Sequence, residues 1–211
     1  MDSNIIVIDD EPDFLDSIRR GLITSGYRNV TLQTDPLAVA QALENDAEYD
    51  IAMIDITMPG LSGIELLERF KELSPRTECI IVTAIDEARV AVECLRKGAY
   101  DYLVKPISKE DLILSLSRAL ERKRLVDLLD IRAKTTAPAL VHPEAFADII
   151  TNDTNMFKIL KEAELHARSN VPVLISGETG TGKELLAHAV HQFAQSFVDR
   201  AHVELSAFIS V

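Results

Sequence analysis

The segment IAMIDITMPGLSGIELLERF, residues 51–70, joins a short apolar run to a helical pattern through a turn that contains proline and glycine. The run IAMIDI is continuous, which is typical of a strand that is buried on both faces. In GIELLERFKEL, apolar residues recur three and four positions apart, which predicts an amphipathic helix. The segment therefore predicts one strand–helix unit, with Asp55 where the strand ends.

The same unit recurs along residues 1–122. The other units are NIIVI with PDFLDSIRRGLITSG, VTLQT with PLAVAQALEND, ECIIVTA with EARVAVECLRKG, and DYLVK with SKEDLILSLSRALERK. Strands that alternate with helices predict a parallel sheet covered on both faces. The predicted fold class is α/β, a doubly wound five-stranded parallel sheet of the flavodoxin-like type.

Composition excludes two classes of partner. The chain is 47% hydrophobic but has no apolar run of about 18 residues, and its N-terminus is acidic, so we expect a cytoplasmic protein without membrane contact. Its 34 acidic and 22 basic residues give a net charge of -12. This charge opposes contact with a phosphate backbone, so we expect no direct DNA binding by this chain.

Polar residues end four of the predicted strands, and the carboxyl ends of parallel strands meet at one edge of a sheet. They are Asp9 and Asp10 after the first strand, Asp55 after the third, Thr83 at the end of the fourth and Lys105 after the fifth. Singly, each is explained by a helix cap or a surface charge. Together, three carboxylates at one edge repel each other unless a hard divalent cation lies among them, which predicts a Mg²⁺ site.

The residue types assign the chemistry of this edge. Asp55 is the predicted nucleophile for a phosphoryl group, and Lys105 and Thr83 would bind the phosphoryl oxygens. The predicted metal ligands are Asp9, Asp10, Asp55 and the backbone carbonyl of Thr57.

Residues 1–122 resemble the receiver domain of two-component response regulators, through IDDE, MIDITMPGLSG, Thr83-Ala84 and DYLVKP. The resemblance implies that Asp55 takes a phosphoryl group from a sensor histidine kinase, and that the receiver catalyses its own phosphorylation. It implies a switch in which Thr83 moves toward the phosphoryl group and Tyr102 rotates inward. It also implies a cis peptide bond between Lys105 and Pro106.

The fifth helix is predicted to continue through ERKRLVDLLDIRAK into a helical linker, residues 123–143. Leu125, Leu128, Leu129 and Arg132 form a narrow stripe along it, which the charged block of residues 121–124 interrupts. Two interpretations stay open: a homodimer through the fifth helix and linker, or a solvated linker helix.

Near the end of the chain, GETGTGKE has the pattern of a phosphate-binding loop. The predicted nucleotide-binding residues are Gly177, Glu178, Thr179, Gly180, Thr181, Gly182, Lys183 and Glu184. The loop is predicted to lie between a buried strand, VPVLIS, and a helix that begins KELLAHAV, with HVELS as one further strand. ATP is the expected nucleotide, and an ordinary glycine-rich turn is the alternative.

Residues 144–211 resemble the opening of the AAA+ domain of sigma-54-dependent transcriptional activators, which also carry glutamate after the loop lysine. Receiver, linker and this opening are the layout of NtrC-like regulators. The chain shows no second acidic motif, arginine-finger segment, GAFTGA loop or helix-turn-helix. We therefore expect no ATPase activity, and contact with sigma-54 of RNA polymerase only in a complete homologue. A fragment of a longer activator and a natural short product are both open.

The leading functional hypothesis is a response regulator that accepts a phosphoryl group at Asp55 with Mg²⁺ and controls the activator module. The alternatives are a nucleotide-binding module with a structural receiver, and a dimerisation platform that works without phosphorylation.

Overall fold

The computed structural model describes residues 3–133, 136–167 and 173–198. The chain divides into two compact units, Met1–Lys123 and Arg124–Val211. The first unit contains β1 (Ile5–Ile8), α1 (Pro12–Thr24), β2 (Val30–Gln33), α2 (Pro36–Glu44), β3 (Ile51–Ile54), α3 (Gly63–Leu73), β4 (Glu78–Thr83), α4 (Ala88–Arg96), β5 (Asp101–Val104) and the start of α5 (Lys109–Ala133).

The five strands form one parallel sheet in the order β2-β1-β3-β4-β5. This confirms the predicted fold class. Ile5 lies opposite both Val30 and Ile51, so β1 is paired on both sides. The strand order changes direction between β1 and β3, which is where open α/β sheets form their binding crevices.

Alternation along the strands divides the core into two layers. Ile6, Ile8, Ala52, Ile54 and Ile81 belong to one apolar cluster, which also contains residues of α2, α3 and α4. Their immediate neighbours in the strands belong to the other cluster, with residues of α1 and α5. Successive side chains of a strand point to opposite faces, so a sheet that is covered twice needs continuous apolar strands.

The second unit contains the end of α5, a short 3-10 helix (Pro143–Phe146), α6 (Thr154–His166) and α7 (Lys183–Val198). Phe146, Leu160 and Ala189 form the centre of its apolar cluster. Along α5, Leu125 and Leu129 expose 50% and 68% of their surfaces. Whether this stripe pairs with a second copy stays a prediction.

The prediction that VPVLIS forms a buried strand is wrong for its described part. Residues 173–176 have no regular structure, and Leu174 is 92% exposed. A strand exists only when a neighbour completes its hydrogen-bond ladder, and no strand of the second unit is present among residues 124–133, 136–167 and 173–198. The predicted strand HVELS lies outside the described residues.

No helix in the described part of the chain is long and apolar enough to cross a membrane.

A buried carboxylate of α6 is hydrogen-bonded to the segment that precedes the 3-10 helix. The side chain of Glu164 is 2% exposed and accepts hydrogen bonds from the backbone N–H groups of Val141 and His142, at 3.2 and 2.5 Å. It also accepts one from Nζ of Lys161 at 2.6 Å. Burial by itself would raise the pKa of Glu164, but these hydrogen bonds outweigh it and hold the pKa below its ordinary value.

We expect Glu164→Gln to lower the free energy of unfolding of the second unit by about 1–3 kcal/mol, because an amide cannot accept from all these donors. Because the pKa is lowered on folding, the stabilisation by Glu164 is present above pH 4.5 and is lost as pH falls through the lowered pKa. Thermal unfolding at neutral pH and at pH values below 4.5 measures the effect of the substitution and its pH dependence. Hydrogen exchange of the Val141 and His142 amides reports on the same hydrogen bonds. Glu162→Gln is the matched control, since its partner Arg132 is 69% exposed. An equal loss in both variants would contradict the prediction.

Candidate functional site

Four of the predicted site residues meet at the carboxyl edge of the sheet. Asp9 follows β1, and Asp55 follows β3 on the neighbouring strand. Thr83 ends β4, and Lys105 follows β5 directly. The topology therefore assembles one site from four separate segments of the chain.

The ammonium of Lys105 contacts both aspartates. Its Nζ lies 2.7 Å from Oδ2 of Asp9 and 3.6 Å from Oδ1 of Asp55. The two aspartate side chains are 1% and 6% exposed, and that of Lys105 is 12% exposed. Charges interact more strongly in such a buried cluster than in water, because water screens them less.

Two further neighbours of Lys105 were not identified from the sequence. Oε1 of Glu11 accepts a hydrogen bond from Nζ at 3.3 Å, and the ring centroid of Phe14 lies 4.1 Å from Nζ. Both residues stand at the start of α1, just after the acidic pair. Their proximity to that pair along the chain is the one sequence signal that could have identified them.

Opposing effects set the pKa of Asp55. Burial raises the pKa of this carboxyl above its ordinary value, and the charge of Asp9 acts in the same direction. The charge of Lys105 and hydrogen bonds from the Thr57 N–H and the Thr83 hydroxyl lower it without cancelling the rise. The Thr57 N–H lies 2.9 Å from Oδ2.

Lys105 remains protonated in this environment. Burial alone would lower the pKa of its ammonium, but the close contact with the Asp9 carboxylate and the charges of Asp55 and Asp9 outweigh burial and raise the pKa. A cation at this position can therefore bind an anionic group that arrives at Asp55.

Ile85 links the two predicted switch residues. Its N–H donates to the hydroxyl of Thr83 at 3.3 Å, and its carbonyl accepts from the hydroxyl of Tyr102 at 2.6 Å. Tyr102 is half-buried. A displacement of Thr83 would therefore act on the residue to which Tyr102 is bonded.

The predicted metal ligands come together only in part. Asp9 and Asp55 share Lys105, but Asp10 is exposed, and no three acidic, histidine or cysteine side chains in the described part of the chain are grouped to hold a metal ion. The Lys105 ammonium supplies the positive charge between the two buried carboxylates. Among the described residues, Oδ2 of Asp9 is nevertheless a buried oxygen without a hydrogen-bond donor, since the ion pair with Lys105 lacks hydrogen-bond geometry. Such an oxygen fits a Mg²⁺ ligand.

The backbone of the Asp55 loop packs directly against α3. The N–H of Gly63 donates to the carbonyl of Ile56 at 2.9 Å. A Cβ atom at Gly63 would lie 1.9 Å from the carbonyl oxygen of Asp55. Ser62 and Glu65 form a capping box that determines where α3 begins. The position of Asp55 therefore depends on the absence of a side chain at residue 63.

The predicted phosphate loop precedes α7, as the sequence indicates. Nζ of Lys183, the first residue of α7, donates to the carbonyls of Gly177 and Glu178 at 2.9 and 2.5 Å. Gly180 and Gly182 have φ angles of 83° and 81°, in the left-handed region that glycine adopts without strain. Residues 177–182 are exposed. The loop thus curls around the lysine that would contact a phosphate.

Two models of known protein families match separate parts of this chain. The response regulator receiver domain matches residues 5–117, and the Sigma-54 interaction domain matches residues 149–208. Regulatory protein AtoC of Escherichia coli K12 is 35% identical over 193 residues, which are 90% of this chain and 40% of AtoC. Transcriptional regulatory protein ZraR of Klebsiella oxytoca is 37% identical over 190 residues, 89% of this chain and 40% of ZraR. The chain spans about 40% of the length of these curated relatives.

Solved structures of receiver-containing proteins are also similar to this chain. A receiver domain protein from Clostridium thermocellum superimposes with a TM-score of 0.54 at 31% identity, covering 59% of this chain and 98% of that one. NtrX from Brucella abortus, solved in complex with ATP, has a TM-score of 0.58 at 28% identity and covers 92% of this chain and 41% of its own. The chain therefore belongs to the response regulator receiver family, in the NtrC-like group that joins a receiver to a sigma-54 interaction domain.

Proposed function

We propose that Asp55 accepts a phosphoryl group from a phosphohistidine of a sensor histidine kinase, and that this reaction switches the protein. The observation that carries the proposal is the buried Asp55 carboxylate in contact with the Lys105 ammonium, beside Thr83. A carboxylate at a strand end with a cation beside it can attack an electrophile while that cation binds the transferred charge.

The step is a single transfer. A carboxylate oxygen of Asp55 forms a bond to phosphorus as the phosphorus–nitrogen bond of the phosphohistidine breaks. The imidazole leaves with the electron pair of that bond, and Asp55 becomes an acyl phosphate. Lys105 and the hydroxyl of Thr83 would then donate to oxygens of the phosphoryl group.

Receiver domains use Mg²⁺. In this chain Asp9, Asp10, Asp55 and the carbonyl of Thr57 would hold the ion, and the oxygen of Asp9 that lacks a donor supports this assignment. When bound, the ion would neutralise charge on the phosphoryl oxygens. Lys105 would then exchange its contact with Asp9 for one with the phosphoryl group.

The proposed switch follows the bonds of Ile85. If the Thr83 hydroxyl turns to the phosphoryl group, the Ile85 N–H loses its acceptor, and the carbonyl that holds Tyr102 is free to move. Tyr102 would then rotate inward. The site would in this way change the surface formed by α4 and β5.

Chemical trapping tests the proposal directly. The 211-residue chain would be incubated with acetyl phosphate and Mg²⁺, the acyl phosphate reduced with borohydride, and the product located by peptide mass spectrometry. We expect homoserine at position 55, and none when EDTA is present. Trapping at another residue, or none at all, would overturn the proposal.

The second unit is proposed to bind ATP through residues 177–184. The support is the curled loop at the start of α7, where Lys183 donates to carbonyls of its own loop, Gly177 and Glu178. A nucleotide phosphate would replace these carbonyls as the acceptor, and the N-terminus of α7 would add favourable backbone N–H groups.

We expect Lys183→Ala to weaken the binding of a fluorescent ATP analogue by about 10- to 150-fold, the range for a lost hydrogen bond to a charged group. Lys158→Ala is the matched control, because its Nζ donates to the Arg132 carbonyl, away from the loop. Equal affinity of both variants for the analogue would show that the loop does not bind the phosphates.

The remaining assignments extend the same proposal. The domains would be a receiver (1–122), a linker (123–143) and the opening of an AAA+ domain (144–211), in a cytoplasmic protein. The exposed Leu125 and Leu129 support a homodimer through α5. Contact with sigma-54 of RNA polymerase would require the complete activator.

A further inference from the structure

We propose that Phe14 is a positioning residue, whose ring holds the Lys105 ammonium beside Asp55 during phosphoryl transfer. The inference rests on the proposed function, because it concerns the same reaction. It assigns a role to a residue that neither the sequence pattern nor the charged cluster identifies.

The first observation is the contact itself. Nζ of Lys105 lies 4.1 Å from the centroid of the Phe14 ring, within the range in which an aromatic face attracts a cation. The Lys105 side chain is only 12% exposed, so water competes little with this attraction. Attraction of this kind strengthens when the cation is desolvated.

The second observation is how firmly the ring is held. Phe14 is half-buried and packs against the apolar cluster that contains Leu15, Ile18 and Leu112. It lies in the first turn of α1, which begins at Pro12, two residues after the acidic pair. The ring is therefore held in place by the core. The carboxylate of Glu11, the other newly identified neighbour of Lys105, is less fixed, because its side chain is 67% exposed.

The third observation concerns charge. Asp9, Glu11 and Asp55 also attract the ammonium, at 2.7, 3.3 and 3.6 Å. In the proposed reaction, however, Asp55 becomes an acyl phosphate and Asp9 would hold the metal ion. The ring has no net charge and takes no part in either event. Phe14 is therefore a neighbour that packs against the core and whose attraction for the Lys105 ammonium is removed neither by phosphorylation nor by the metal ion.

The test compares Phe14→Leu, which keeps an apolar side chain, with Phe14→Tyr, which keeps the aromatic face. Phe70→Leu is the matched control, since Phe70 is fully buried on the other side of the sheet. We expect Phe14→Leu to reduce the maximal rate of phosphorylation by acetyl phosphate about 2- to 30-fold with little change in KM, as loss of a cation–π contact implies. Phe14→Tyr should be phosphorylated at the rate of the unmodified protein.

A second measurement does not depend on activity. In the metal-free protein, the ring current of Phe14 should shift the NMR signals of the Lys105 ε-methylene group upfield. We expect this shift to disappear in Phe14→Leu and to remain in Phe14→Tyr and Phe70→Leu.

Several results would overturn the inference. They are an unchanged rate in Phe14→Leu, equal slowing in Phe14→Tyr or Phe70→Leu, and absence of the upfield shift in the unmodified protein. If borohydride trapping fails while the shift is present, the proposed function is wrong, and the positioning role is overturned with it although the contact is real. The two failures are thus distinguishable.

Discussion

Asp55→Asn is expected to lower the rate of phosphoryl labelling by acetyl phosphate by about a thousandfold or more, as removal of a nucleophile does in other enzymes. The amide has the shape of the carboxylate but no nucleophilic oxygen. Lys105, Thr83 and Asp9 stay in place, so the variant isolates the acceptor itself. Mass spectrometry of the intact protein with time measures the rate.

Asp46→Asn is the matched control for this change. Asp46 is exposed and has a φ angle of 60°, a conformation that asparagine adopts readily. We expect this variant to be labelled as fast as the unmodified protein. Labelling of Asp55→Asn at the control rate would show that another residue is the acceptor.

Asp55→Asn should also be more stable than the unmodified protein at neutral pH. Folding raises the pKa of Asp55, chiefly by burial, so the folded state holds this proton more tightly than the unfolded state. The stabilisation by the protonated group is complete below pH 3.8 and is lost as pH rises through the raised pKa. Asparagine does not titrate and avoids this loss.

Thermal unfolding at several pH values tests this prediction. Asp55→Asn should be more stable than the unmodified protein at neutral pH, and this difference should disappear as the pH falls below 3.8. A variant that is less stable at neutral pH would mean that the attraction of Lys105 outweighs the cost of burial.

Gly63→Ala is expected to lower the free energy of unfolding of the first unit by about 2–4 kcal/mol, the range for a severe steric conflict. The new Cβ would lie 1.9 Å from the carbonyl oxygen of Asp55 and 2.8 Å from Cα of Ile56. These are backbone atoms, so no flexible side chain can move aside. Either α3 or the Asp55 loop must shift.

Such a shift should also slow phosphoryl labelling by about a hundredfold, because misplacement of a reacting group by about 1 Å has effects of this size. Chemical denaturation and the labelling rate measure the two consequences separately.

Gly21→Ala is the matched control for this substitution. A Cβ at Gly21 would meet only a methyl group of Leu112, at 3.9 Å, an ordinary van der Waals distance. Alanine is also the better residue within α1, so we expect stabilisation by about 0.5–1 kcal/mol and unchanged labelling. Similar destabilisation by both substitutions would contradict the close packing at Gly63.

Some features of the site could be predicted from local patterns. Asp55 and Thr83 stand where buried strands end, and the alternation of strands and helices predicts that such ends share one edge. The cis peptide bond between Lys105 and Pro106, expected from the family resemblance, is present. The strand ends could be predicted because they depend on the order of elements along the chain, whereas the cis bond was expected only from the resemblance.

Other features were out of reach of the sequence. The strand predicted for VPVLIS depends on a partner elsewhere, and its own apolar residues cannot supply one. The contact of Gly63 with the Asp55 backbone depends on the path of the intervening turn to within about an ångström. Neither property is encoded in a short pattern.

The amino-acid sequence by itself determined the fold class, the strand ends that carry the polar residues and the glycine-rich loop before α7, because periodicity and chain order can be read directly along the sequence. Only the tertiary structure decided that the Lys105 ammonium lies between Asp9 and Asp55 and over the ring of Phe14. The physical reason is that these groups come from separate strands and a helix. Their distances depend on strand order, burial and competing charges, which are properties of the folded chain as a whole.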